Sequence, residues 1–185
     1  MKSTGTVGGR ERLRLFCALT LPDDVLDGLE RWQRAELLSD ARLVPREHLH
    51  LTLVFLGSRP AEELAGVRAA LREAASSAAR GIVLEPVRYR ESRSVGMLVL
   101  GDEEGRATGL AGDLHGRLER LGVYRREARP WLPHVTVLRF RRPPGLRPAL
   151  PELGRFSPSG AAVYHSLLRP TGAQYEVLER VALGG

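Results

Sequence analysis

The chain has 185 residues, 43% hydrophobic and 27% charged, with a formal net charge of +6 and a sequence pI near 10.3. That length suits one domain, or two small lobes sharing a waist, and that composition is ordinary for a soluble globular protein, so no membrane protein is implied. No stretch approaches about 18 uninterrupted apolar residues, and the polar, glycine-rich Met1–Gly9 holds no run of signal-peptide length, so a cytoplasmic protein is expected. The positive charge favours a polyanionic partner, nucleic acid first. Lys2 is the single lysine, however, and a codon-composition bias toward arginine explains the same skew equally well. Aromatic residues, at 5%, are too scarce for an extended base-stacking platform.

Residues 1–10 are expected to form a flexible tail, and 11–185 a single domain. Arg14 to Leu21 reads as the first strand, buried in its middle. The single cysteine, Cys17, lies inside that apolar run and is expected to be a buried, unreactive thiol with no disulfide partner in the chain. Pro22-Asp23-Asp24 opens a helix to about Leu38, with acidic residues at its positive end and Val25, Leu26, Leu29 and Trp32 at helical spacing on a core face. After Leu43-Val44-Pro45-Arg46 comes a strand from His48 to Leu56, ended by Gly57 and Pro60. A second helix runs from Pro60 to about Ala79.

Residues 81–89 and 95–101 read as a strand pair joined by the polar loop Arg90 to Ser94. A third helix spans about Glu103 to Leu121, with Leu110, Leu114 and Leu118 on one side and Gly122 at its end. His115, one position from that stripe, is expected at the surface. A further strand occupies 133–140. Arg141 to Pro148 is too proline-rich for regular structure and reads as an exposed basic loop that either binds flanking phosphates or is simply solvated. Residues 161–168 and 174–181 form a closing strand pair around the turn Arg169 to Ala173. Helices and strands mix without strict βαβ alternation, so the fold class is α+β.

One device occurs twice. In His50-Leu51-Thr52-Leu53 and in His134-Val135-Thr136-Val137, strand alternation puts histidine and threonine on one face and the aliphatic residues on the other. A pair of imidazoles suits displacement at phosphorus, because one takes a proton from the attacking oxygen while the other gives one to the leaving oxygen. The threonine, about 7 Å farther along each strand, can hydrogen-bond a phosphoryl oxygen. Arg139 stands one register step off the histidine face, yet its long side chain can still reach a phosphate.

With these motifs the chain resembles the 2H phosphoesterase superfamily, specifically its RNA 2′,3′-cyclic phosphodiesterase group, also called 2′-5′ RNA ligases. The resemblance extends to Arg14-Leu15-Phe16 with Ala18 and Pro22, to Phe55-Leu56-Gly57, and to Ser166 through Gly172 with Tyr175. It implies a bilobal α+β fold, with two pseudo-symmetric lobes of antiparallel sheet plus helices around a central cleft. It further implies His50 as proton donor to the leaving 3′ oxygen, His134 as proton acceptor from water, and Thr52, Thr136 and Arg139 as phosphate-binding groups. Neither metal nor cofactor is implied. The expected partner is RNA with a 2′,3′-cyclic phosphate end, from tRNA fragments or short oligonucleotides, or else a cyclic nucleotide. The product is a 2′-phosphomonoester, with 2′-5′ ligation as the reverse-type reaction, and a monomer is expected. His48 and His165 stand outside the family pattern.

Two other readings remain at this level. His48, His50 and His134 could ligate a metal in a metal-dependent hydrolase, since two same-face histidines are a common ligand spacing. Alternatively, a non-catalytic module could hold RNA ends in a basic cleft.

Overall fold

The structure, a computed structural model, describes residues 11–38, 40–78, 81–170 and 172–183; the tail expected over 1–10 lies outside them. The elements in chain order are β1 (Arg12–Thr20), α1 (Asp23–Glu36), β2 (Arg42–Leu43), β3 (Leu51–Pro60), α2 (Leu64–Ala78), β4 (Leu84–Glu91), β5 (Val95–Asp102), α3 (Arg106–Arg120), β6 (His134–Arg139), β7 (Gly160–Arg169) and β8 (Gly172–Val181). This is the α+β class expected. The strands pair antiparallel in the order β4-β5-β6-β3-β1-β7-β8, with the short β2 on β6. No helix among the described residues is long and apolar enough to cross a membrane.

Local chemistry accounts for the elements. Leu15, Phe16, Cys17, Ala18 and Leu19 are all buried, because β1 is a central strand with β3 on one side and β7 on the other. Burial there pushes the Cys17 thiol up to about 12, which leaves it un-ionised and inert. The start of α3 is tied by the Asp102 carboxylate, which accepts from the Ala107 and Thr108 N–H groups at 2.9 and 2.7 Å and so satisfies two orphan donors. Leu110, Leu114 and Leu118 are fully buried, as their spacing predicts. His115 is not at the surface. It is buried beside that stripe, and its Nε2 donates to the Leu53 carbonyl at 2.8 Å.

The sheet divides into two four-stranded lobes. α2 packs on β7 and β8, α3 lies beside α2 and touches both β3 and β5, and α1 is tied to β6 by the Gln33 bond to the Val137 carbonyl. α1 is fixed to its lobe through Trp32, whose ring lies 6.3 Å from that of Tyr89 and whose Nε1 donates to the Ala149 carbonyl at 2.6 Å. The lobes join where β3 meets β6, through the single register pair Leu51 and Val135. Among the described residues β3 and β6 share no further register pair, and the space beside this pair is the candidate cleft. Arg141, Arg142 and Arg147 are exposed, as expected of the 141–148 loop, but the loop is held at the far edge of its lobe by Glu91 of β4, whose carboxylate accepts from the Gly145 and Leu146 N–H groups.

Each strand of the junction carries a bulge at the residue after its motif threonine. On β3, Cys17 faces Val54 and Ala18 faces Thr52, so Leu53 is the extra residue. On β6, Gly96 faces Leu138 and Met97 faces Thr136, so Val137 is the extra residue. A bulge disrupts the ladder locally and re-aims the strand beyond it. In both lobes a buried polar side chain from a helix bonds the bulged carbonyl: His115 reaches Leu53, and Gln33 of α1 reaches Val137 at 2.8 Å and Val44 at 3.0 Å. Replacing Gln33 with alanine should lower stability by about 1–3 kcal/mol, since two buried carbonyls lose a donor; thermal unfolding measures it.

Candidate active site

The pair Leu51–Val135 sets the geometry of the cleft. One step to either side of it, the antiparallel register puts His50 opposite Thr136 and Thr52 opposite His134. The two His-x-Thr motifs therefore cross head to tail, each histidine facing the other's threonine, on the face away from the aliphatic core residues Leu51, Leu53, Val135 and Val137. His50 and His134 are diagonal neighbours, a relation that spans roughly 7–8 Å in a regular antiparallel pair, enough for a phosphoryl group between the rings.

His134 donates from Nδ1 to the carbonyl of Leu132, two residues earlier, at 2.8 Å. His50 has Nε2 at 3.0 Å from Thr52 Oγ1, and the backbone of His48, two residues earlier, favours its charged form. The Leu132 bond fixes the tautomer of His134 and leaves its Nε2 for chemistry. Thr52 is itself anchored, since Trp131 Nε1 donates to its carbonyl at 3.0 Å.

His50 sits against an aromatic floor. Its ring centroid is 5.1 Å from Phe16, 6.0 Å from Tyr164 and 5.6 Å from Tyr175, while Phe16 and Tyr164 stack at 4.8 Å. Burial by this floor pushes the His50 imidazolium down to about 4; the bond to the His48 backbone works against the shift, and the positive fields of His48, Arg139 and His134 add to it. Burial thus favours the neutral ring at neutral pH.

Arg139 reaches the cleft for a reason that strict alternation misses. Counting residues from His134 places it on the wrong face, but the extra residue Val137 shifts the parity, and its charge acts on both His48 and His50. The burial pattern supports the shift, since Val137 and Leu138 are buried in succession. Gln33 and His115, which brace the two bulges, are residues that sequence reasoning misses; only their polar character on otherwise apolar helix faces marks them.

The histidine strand starts later than expected. Arg46–His48 forms a 3-10 turn after Pro45, and β3 begins at Leu51, so His48 does not share a strand face with His50. Its ring packs instead on Tyr175, at a centroid distance of 4.3 Å. Among the described residues no group of three or more histidine, cysteine, aspartate or glutamate side chains is arranged to hold a metal ion, so the triad of His48, His50 and His134 is not assembled as a ligand set. His165 follows Tyr164 on β7 and so points to the opposite face of the sheet, where its Nδ1 lies 3.7 Å from Glu176 Oε2.

Comparison with known proteins agrees with this architecture. An RNA 2′,3′-cyclic phosphodiesterase of Thermus thermophilus is 34% identical over 187 residues, covering 94% of this chain and 91% of the relative. The crystal structure of TT0787 from the same organism superposes with a TM-score of 0.77 at 29% identity, covering 94% of this chain and 99% of that one. LigT of E. coli in its apo form shares the fold, with a TM-score of 0.78 at 24% identity over 95% of this chain and 99% of its own. Residues 21–167 match the family model of the 2′-5′ RNA ligase superfamily, and the chain belongs to that superfamily.

Proposed function

We propose that this protein hydrolyses 2′,3′-cyclic phosphate ends of RNA to 2′-phosphomonoesters, with His134 as proton acceptor and His50 as proton donor. The observation that carries the reading is the crossing at Leu51–Val135, which sets the two motif imidazoles as diagonal neighbours, His134 held through Nδ1 and His50 beside Thr52. Water attacks phosphorus as its proton passes to Nε2 of His134; the P–O3′ bond breaks as His50 gives its proton to O3′. The products are a 2′-phosphate and a 3′-hydroxyl. Thr52, Thr136 and Arg139 supply donors to the phosphoryl oxygens, whose negative charge grows in the transition state. His50, held toward its neutral form by burial, takes up its proton with the anionic substrate, because a phosphate beside Nε2 favours the imidazolium. A 5′-hydroxyl in place of water makes the same step a 2′-5′ ligation. The name of the Thermus relative supports the substrate class.

The test is an assay on cyclic-phosphate substrates in excess chelator, with products resolved as 2′ or 3′ monoesters. Full turnover to 2′ monoesters is expected. Loss of turnover on chelation would return the metal-dependent reading. Tight binding of cyclic ends without any turnover would favour the non-catalytic module.

A further inference from the structure

Next to the motif histidines lies a cavity of about 470 Å³, between the turn Arg46–His48 and the β7–β8 hairpin. Its lining includes Arg42, Glu47, His48, Arg169, Gln174 and Tyr175. The volume falls in the range of ligand sites, and the charge is the informative part. Among the described residues, Arg42 and Arg169 make no salt bridge, whereas the neighbouring Arg46 is paired with Asp23, Asp27 and Glu30. Glu47 is the one carboxylate of the lining. Its field on His48 is opposed by those of Arg42 and Arg139.

The cavity is built into the fold and continuous with the histidines. Arg42 is the cross-strand partner of Arg139 in the β2–β6 pair, so the two cations stand side by side where β6 leaves the catalytic junction. The Arg42 guanidinium lies against Gly172 of the hairpin, and a β-carbon there would come within 3.1 Å of Nη1; glycine also suits that residue's φ of +126°. Tyr175 contacts both His48 and His50, which makes it the wall between the two spaces. Arg139, Arg42 and Arg169 thus form a row from the catalytic pair to the hairpin tip.

We propose that this cavity holds the phosphodiester immediately 5′ of the cyclic end, so that the enzyme is built for oligonucleotides over cyclic mononucleotides. The inference rests on the function proposed above. When the cyclic phosphate sits between His50 and His134, the nearest further anion on the substrate is the 5′ phosphate of the same nucleotide, and a single strand leaving the site meets the arginine row next. Arg42 and Arg169 would bind it through charge-assisted hydrogen bonds, with the Gln174 amide as a further donor.

The experiment compares kcat/KM for adenosine 2′,3′-cyclic phosphate with that for a dinucleotide bearing the same cyclic end, in the wild type, Arg42→Ala, Arg169→Ala and the double variant. The wild type should prefer the dinucleotide by about tenfold or more, the size of one charge-assisted phosphate contact, with the difference in KM. The double variant should lose that preference. A dinucleotide with a neutral methylphosphonate linkage should lose it in the wild type too, which tests the contact without any change to the protein. Turnover of both substrates with a ratio that neither change moves overturns the subsite alone. Absence of turnover of either substrate by the wild type overturns the underlying function, and the subsite with it.

Discussion

His134→Ala should lower kcat for cyclic-phosphate hydrolysis by on the order of 10²–10⁴, with KM changed only a few-fold, and His50→Ala should do the same. Each substitution removes one of two proton transfers that occur only in the transition state, while Thr52, Thr136 and Arg139 remain to bind the ground-state phosphate. The double variant should be little worse than either single one, because groups that act in one concerted step are not additive. Steady-state kinetics on a purified cyclic-ended dinucleotide measures all three. A KM that rises as steeply as kcat falls would mean that the histidines mainly bind, and the two-imidazole mechanism would have to be abandoned.

Neither substitution should harm the fold, which follows from where the rings lie. His134 is half-buried at the first position of β6 and bonded to a local carbonyl. His50 precedes β3 and contacts the aromatic floor from its open side. The core that defines the lobes is the separate aliphatic cluster behind the sheet, through Leu51, Leu53, Val135 and Val137.

The histidine motifs are legible because alternation is a local property: a histidine and a threonine two residues apart on a strand must share a face. The helices are legible for the same reason, Leu110, Leu114 and Leu118 facing the core as spaced. What the sequence hides is nonlocal. Bulges at Leu53 and Val137 depend on partner strands, so the parity that returns Arg139 to the cleft cannot be counted from β6 alone. His115 shows the same limit, since the carbonyl it satisfies lies 62 residues away, and a histidine one step off an apolar stripe carries no mark of that partner. The spacing of His48 from His50 matches a strand, but Pro45 starts a 3-10 turn first.

Burial of His50 moves the pH dependence away from what two ordinary histidines predict, a bell from roughly pH 5 to 8. With the imidazolium held down to about 4 in the free protein, the proton that His50 must give is lost as pH rises past that value, so the limb of kcat/KM set by this loss, which reports free-enzyme ionisations, should lie well below the ordinary histidine range. The same limb of kcat should lie at higher pH, because the bound anion favours the protonated ring. The same shift has a stability consequence of definite sign. An unfolded chain protonates this histidine near pH 6.5 while the folded one resists until about 4, so between those values the unfolded state binds more protons and stability falls as pH falls. The loss should amount to roughly 2–3 kcal/mol by pH 4, discounted for the ring edge that reaches the cleft, and should be absent above pH 7. His50→Gln should flatten that part of a pH series of chemical denaturations. An NMR titration placing the free His50 ring near 6.5 would refute the burial argument, and the limb of kcat/KM set by loss of its proton would then return to the ordinary histidine range.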